Sequence, residues 1–165
     1  MKIVVVRGIV IAAMYIALVL LLHPLSYGPI QVRIADMLSP LPYIMGIEGV
    51  LGLTIGTLIA NIFSPFGVWD IVIGTACTFT YSILNYIIGR VLGYRRWALP
   101  LIAVMDSAIV GLYIGIILLG YIFEVGQPHL LFIFVTVGNL AATLPGALIV
   151  IPAIRRIVYK EKPQL

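Results

Sequence analysis

The sequence predicts an all-α integral membrane protein, a bundle of six transmembrane helices forming one domain over residues 1–165, and three observations point to it. Of 165 residues, 62% are hydrophobic and only 10% are charged, where a soluble domain carries about 25% charged residues. Such a chain lacks the polar surface to cover a water-facing globule, so its solvent is lipid. Apolar runs punctuated by Gly, Pro and charge mark six segments, near 3–25, 34–45, 46–62, 70–92, 98–122 and 130–158. Finally, with six crossings and a cytoplasmic N-terminus, Lys2, Arg7, Arg90, Arg95, Arg96, Arg155, Arg156, Lys160 and Lys162 all fall on the cytoplasmic side. Of the ten Lys and Arg residues only Arg33 lies elsewhere, as the positive-inside rule prefers. Both termini are then cytoplasmic, and the chain is a multi-pass plasma-membrane protein.

The first segment contains an apolar run, Ile9 to Leu22, without a small-residue cleavage site, and reads as a retained span rather than a signal peptide. The second is short: twelve helical residues reach roughly 18 Å against a hydrocarbon core of about 30 Å. Omitting this crossing would put the Arg90–Arg96 cluster opposite Lys2 and Arg7, so the chain crosses between Ser26 and Gly46. The preceding stretch, Tyr27 to Arg33, is then expected to dip roughly 10 Å into the outer side. Irregular backbone at that depth is tolerated where protein buries it or a watery cavity receives it. "SYGPIQVRIADMLSPLPYI" thus places Gln31, Arg33 and Asp36 at the wall of an outward-facing pocket. The competing reading has Arg33 snorkelling to the interface and Asp36 pairing with it three residues on.

Polar stripes on the later helices are expected to face inward. The third carries Thr54, Thr57 and Asn61; the fourth Thr75, Thr78, Ser82 and Asn85; the sixth Thr136, Asn139 and Thr143. On the fifth, Asp106, Tyr113, Gly120 and Glu124 lie within about 40° of one face if the helix keeps 3.6 residues per turn. An ionisable residue inside a span is a functional candidate by default. A hydrogen bond to Asn85 or Asn139 is the structural alternative for Asp106, and interfacial solvation the alternative for Glu124. Asp70, at the start of the fourth helix, reads as a cap on free N–H groups. Trp69 with Phe66 offers a stacking platform or an aromatic belt; Trp97, His23 and His129 read as interfacial. Cys77 reads as a small buried hydrophobe.

Small residues recur every four positions, as in Gly8 and Ala12, Ala13 and Ala17, Gly52, Gly56 and Ala60, and Gly111 and Gly115. Such spacing lets helix backbones approach closely in a membrane. Most serve internal packing, while the Ala13–Ala17 pair is free to face another protein. No G-x-x-x-x-G-K-[ST] loop is present, no His/Cys cluster suggests a metal, and no nucleophile stands beside a base. An enzyme is not expected, nor a metal, a cofactor or a nucleic-acid partner.

The segment Tyr27 to Thr75 carries "GPIQVRIAD", "GLTIGTLIANIFSPFG" and "WDIVIGT", and it resembles the QueT family of S components of energy-coupling factor transporters. The motif-bearing match covers about a third of the chain. The resemblance implies a six-helix protein that captures a vitamin-like compound from outside. It would deliver that compound to a module of one membrane coupling protein and two ABC ATPases, toppling in the membrane as it docks. The docking face implied is A-x-x-x-A on the first helix, matched by Ala13 and Ala17 in "AMYIA". The implied cargo is a queuosine precursor, a 7-deazaguanine base or relative. Its donor–acceptor edges would meet Gln31, Asn61, Asp70, Asp106, Glu124, Asn139, Arg33 or Asp36, with Trp69, Phe66 or Tyr27 stacking. Arg33 would be structural, tied to Asp36 or Asp70, because a neutral base gives a buried cation no counter-charge. Two rival readings stand beside this one: another heterocyclic cargo such as riboflavin, or a stand-alone channel or proton-coupled carrier relaying through Asp106 and Glu124.

Overall fold

The computed structural model describes residues 2–22 and 33–158, and among them every regular element is helical. Helix α1 spans Lys2–Leu21. A 3₁₀ turn over Ile34–Leu38 leads into a short α2, Leu41–Met45. Helix α3 spans Ile47–Asn61 and α4 Gly67–Leu92. Helices α5, Ala98–Ile122, and α6, Pro128–Val158, complete the bundle. Four of the six, α1, α4, α5 and α6, are long and apolar enough to cross a membrane. Large apolar side chains stand outside the bundle, including Ile3, Val6, Ile9 and Leu21 on α1 and Val68 and Val72 on α4. Exposure on that scale is tolerable only in lipid, which confirms a multi-pass membrane protein.

The segment expected to make the second crossing runs alongside α4 from end to end and is mostly not α-helical. Arg33, at its start, reaches Asn61 and Asp70, at the end of α3 and the start of α4. Tyr43 reaches Gly93 and Arg95 beyond the far end of α4. Long side chains at both ends thus extend a segment too short to span as helix. A 3₁₀ winding helps, since it rises about 2.0 Å per residue against about 1.5 Å. Its backbone is shielded from lipid: Ala35, Asp36, Leu38, Ser39, Leu41 and Tyr43 are all buried. Glycines admit it. A Cβ on Gly146 would collide with the backbone of Met37, one on Gly89 with Tyr43, and one on Gly49 with Pro42.

The small-residue spacing does pack helices together. Gly52 and Gly56 of α3 lie against Gly8, Ile11 and Ala12 of α1, and Gly111 and Gly115 of α5 against Leu131 and Phe132 of α6. Ala13 and Ala17 stay exposed on the other side of α1. Two helices depart from regular winding. In α5, Gly111–Ile122 is π-wound, and Phe123 donates to the Leu118 carbonyl five residues back at 2.9 Å. In α6 a π turn over Gly146–Val150 follows Pro145, which lacks an N–H and crowds the preceding turn.

Candidate functional site

The segment beginning at Arg33 organises the buried polar groups. Successive i→i−3 bonds, Asp36 N–H to Arg33 O at 2.9 Å and Ser39 N–H to Asp36 O at 3.0 Å, stack Arg33, Asp36 and Ser39 three apart. At three residues per turn such positions eclipse one another. Each of the three then meets a different polar cluster.

Arg33 donates to Asn61 Oδ1 at 3.2 Å and to Asp70 Oδ2 at 3.1 Å, while Asn61 Nδ2 donates to the Asp70 carbonyl at 2.9 Å. Asp36 accepts from the Tyr15 hydroxyl at 3.0 Å and from Asn139 Nδ2 at 2.6 Å. Ser107 and Thr143 hold Asn139 in turn, donating to its Oδ1 at 3.0 and 2.9 Å. Ser39 donates to Asp106 Oδ2 at 2.9 Å, and Asn85 Nδ2 bridges both Asp106 oxygens at 3.0 and 2.9 Å. All these side chains are buried. Charged groups in such an interior persist only when paired or hydrogen-bonded, and the three clusters supply that.

A cavity of about 20 Å³ opens between the first two clusters. Arg33, Asp36 and Tyr15 line one side, Cys77, Thr78 and Tyr81 of α4 another, and Val110, Ile114 and Val135 form an apolar wall. Thr78 links the α4 side to α3 through Thr57 at 3.1 Å. The lining combines a guanidinium, a carboxylate and three hydroxyls with two aromatic rings. That set can donate to and accept from the edges of a flat polar molecule while stacking on its face.

Of the nine residues singled out for binding, Arg33 and Asp36 line this cavity. Asn61 and Asp70 hold Arg33, and Asn139 holds Asp36. Asp106 sits in the separate cluster with Ser39 and Asn85, realising the structural hydrogen bond to Asn85 rather than to Asn139. Trp69 is half-exposed and outside the lining, and Phe66 packs on Phe123 with ring centroids 5.7 Å apart. Gln31 and the expected dipping loop before Arg33, with Tyr27 and His23, lie outside the described residues.

Two sequence expectations are corrected. Asp70 does not cap α4, whose N-cap Phe66 lacks any side-chain cap bond; it faces inward and pairs with Arg33. Asp106 and Glu124 do not share a face. The π winding of Gly111–Ile122 rotates the register, so Glu124 stands exposed at the end of α5 with a left-handed φ of 49°. The cavity residues missed from sequence were Tyr15, Cys77 and Tyr81. Tyr15 sits in an apolar run, and Cys77 and Tyr81 flank the polar stripe of α4 without belonging to it. Among the described residues no group of His, Cys, Asp or Glu is placed to hold a metal ion.

A family profile described as QueT transporter matches residues 5–156, nearly the whole chain. Neither the curated proteins nor the solved structures give a match.

Proposed function

The chain belongs to the QueT transporter family, and from that premise we propose that it is the substrate-binding S component of an energy-coupling factor importer. It is a multi-pass membrane transporter and not an enzyme. The proposed cargo is a queuosine precursor, a 7-deazaguanine-type base, captured from outside and bound beside Arg33, Asp36 and Tyr15. The observation that carries this reading is the polar cavity those side chains line inside a lipid-embedded bundle. Burying so many polar groups without a task is costly in lipid, and a bicyclic base matches the donors, acceptors and rings present. Tyr15 and Tyr81 take the stacking role in place of Trp69 or Phe66.

The proposed partners are a membrane coupling protein and two ABC ATPases. The exposed Ala13 and Ala17 face of α1 supports docking on such a protein. A relay through Asp106 and Glu124 loses its basis, because the two are not aligned along α5.

Thermal unfolding of the detergent-solubilised protein against 7-deazaguanines, guanine, riboflavin and other vitamins tests the cargo. A ligand at a hundred times its dissociation constant stabilises the native state by about 2.7 kcal/mol. A shift with a 7-deazaguanine, absent with guanine and riboflavin, supports the proposal. Tyr15→Phe should then weaken that shift about tenfold in ligand concentration, the value of one hydrogen bond of about 1.4 kcal/mol. A shift with riboflavin alone replaces the cargo, and co-purification without ATPases defeats the importer assignment.

A further inference from the structure

We propose that the arginine-rich end of the bundle holds a site for the phosphate of an anionic phospholipid headgroup, built by Arg96, Arg155 and Arg156 around Tyr94. A cleft of about 260 Å³ is lined by these four residues and Pro152. The guanidinium of Arg155 lies 4.0 Å from the Tyr94 ring centroid, close enough for a cation–π contact to orient it. Among the described residues the ion pairs are Arg7 with Glu48 and Arg33 with Asp70. The cleft arginines therefore face no described carboxylate.

A topological signal needs only positive charge at this end of the chain, whereas this cluster also has a fixed shape. The Tyr43 hydroxyl donates to Gly93 O at 2.7 Å and accepts from the Arg95 N–H at 2.6 Å, locking the loop that carries Tyr94 and Arg96. The turn begins at Gly93, whose φ of 62° suits a residue without a side chain. Tyr43 and Tyr94 rings stand 6.1 Å apart. Guanidiniums from two elements thus converge on one cleft, the geometry in which Arg takes a phosphate through paired N–H donors. Lipid, rather than a soluble anion, is the favoured source. The cleft lies at the ends of α4, α5 and α6, where a span meets the headgroups, and the neighbouring Trp97 is exposed as interfacial tryptophans are. Basic pockets between spans are known to take anionic headgroups.

The full chain, delipidated in neutral detergent, is titrated with phosphatidylglycerol, phosphatidylcholine and inorganic phosphate. Bound lipid is counted by native mass spectrometry, and thermal unfolding is followed in parallel. Phosphatidylglycerol should be retained and raise the melting temperature more than the zwitterionic lipid does. Arg155→Gln with Arg156→Gln should weaken its binding at least about tenfold, the loss of a charge-assisted contact. Arg90→Gln, which removes an exposed charge outside the cleft, should leave binding unchanged. Equal weakening by Arg90→Gln would reduce the effect to diffuse attraction and overturn the site. Equal binding of phosphatidylcholine would overturn it too, and full stabilisation by inorganic phosphate would overturn the lipid assignment. Should the double variant not fold, Arg156→Gln alone makes the same comparison, and the wild-type lipid series needs no variant.

Discussion

Only 8% exposed, Arg33 donates to Asn61 and Asp70 from the edge of the cavity. Truncating one member of a buried ion pair costs about 3–5 kcal/mol, because the other charge stays buried alone. Arg33→Ala is therefore expected to lower the unfolding temperature and abolish ligand-induced stabilisation. Arg33→Met with Asp70→Leu should recover most of the thermal stability but none of the ligand response, because it removes both charges together. A double variant as unstable as the single one would show that Arg33 acts through something other than Asp70. Residue identity made part of this legible: an arginine beside an aspartate in so apolar a chain had to be neutralised nearby. Which carboxylate did so was not legible, since Asp70 is 37 positions away and a capping role fits its place at a helix start equally well. Tyr15 illustrates the opposite limit. It lies among Ala, Met, Ile and Leu, and only the return of Asp36 from elsewhere in the fold gives its hydroxyl a partner.

At the level of elements, the crossing over 33–45 depends on glycines of other helices. Gly146→Ala would force a methyl into the Met37 backbone, and overpacking of this kind costs about 1–3 kcal/mol. The expected result is a lower unfolding temperature with a weaker ligand response, since Met37 adjoins Asp36. Gly126→Ala, with only Leu131 side-chain atoms near 4 Å, serves as the control and should change neither. The existence of every helix was legible from its apolar run, and ends came within a few residues, as with α4 beginning at Gly67 instead of near 70. Winding was not legible. The four-residue face from Asp106 to Glu124 assumed 3.6 residues per turn, and nothing local in "GLYIGIILLGYI" announces the wider π turn. The signal near Pro145 was readable in principle, because a proline within a helix must disturb its ladder.

For the molecule as a whole, the expected orientation rests on charge. Single cysteines introduced at Arg96 and Glu124 should label from opposite sides of the membrane, Arg96→Cys from the cytoplasm and Glu124→Cys from outside. The native Cys77 is buried and gives little background. Labelling of both from one side would overturn the six-crossing topology. The expectation of that topology rests on how unevenly the positive charges fall between alternate connections, a property of the whole chain that no single span carries. The convergence of the polar stripes was legible for the same kind of reason, lipid leaving them nowhere else to turn.

The size of the cavity bears on rates as well as on affinity. At about 20 Å³ it has room for roughly one water molecule, whereas small-molecule pockets run to about 300–1,000 Å³. If this cavity takes the proposed bicyclic base, the base enters only after the surrounding helices part, and capture is then gated by a fluctuation of the empty protein. The observed association rate should then level off at high ligand concentration, at the rate of opening. Affinity in turn is reduced by the fraction of molecules open at any instant. Stopped-flow tryptophan fluorescence would read this directly; a rate rising linearly to the highest concentrations would mean that entry needs no prior opening.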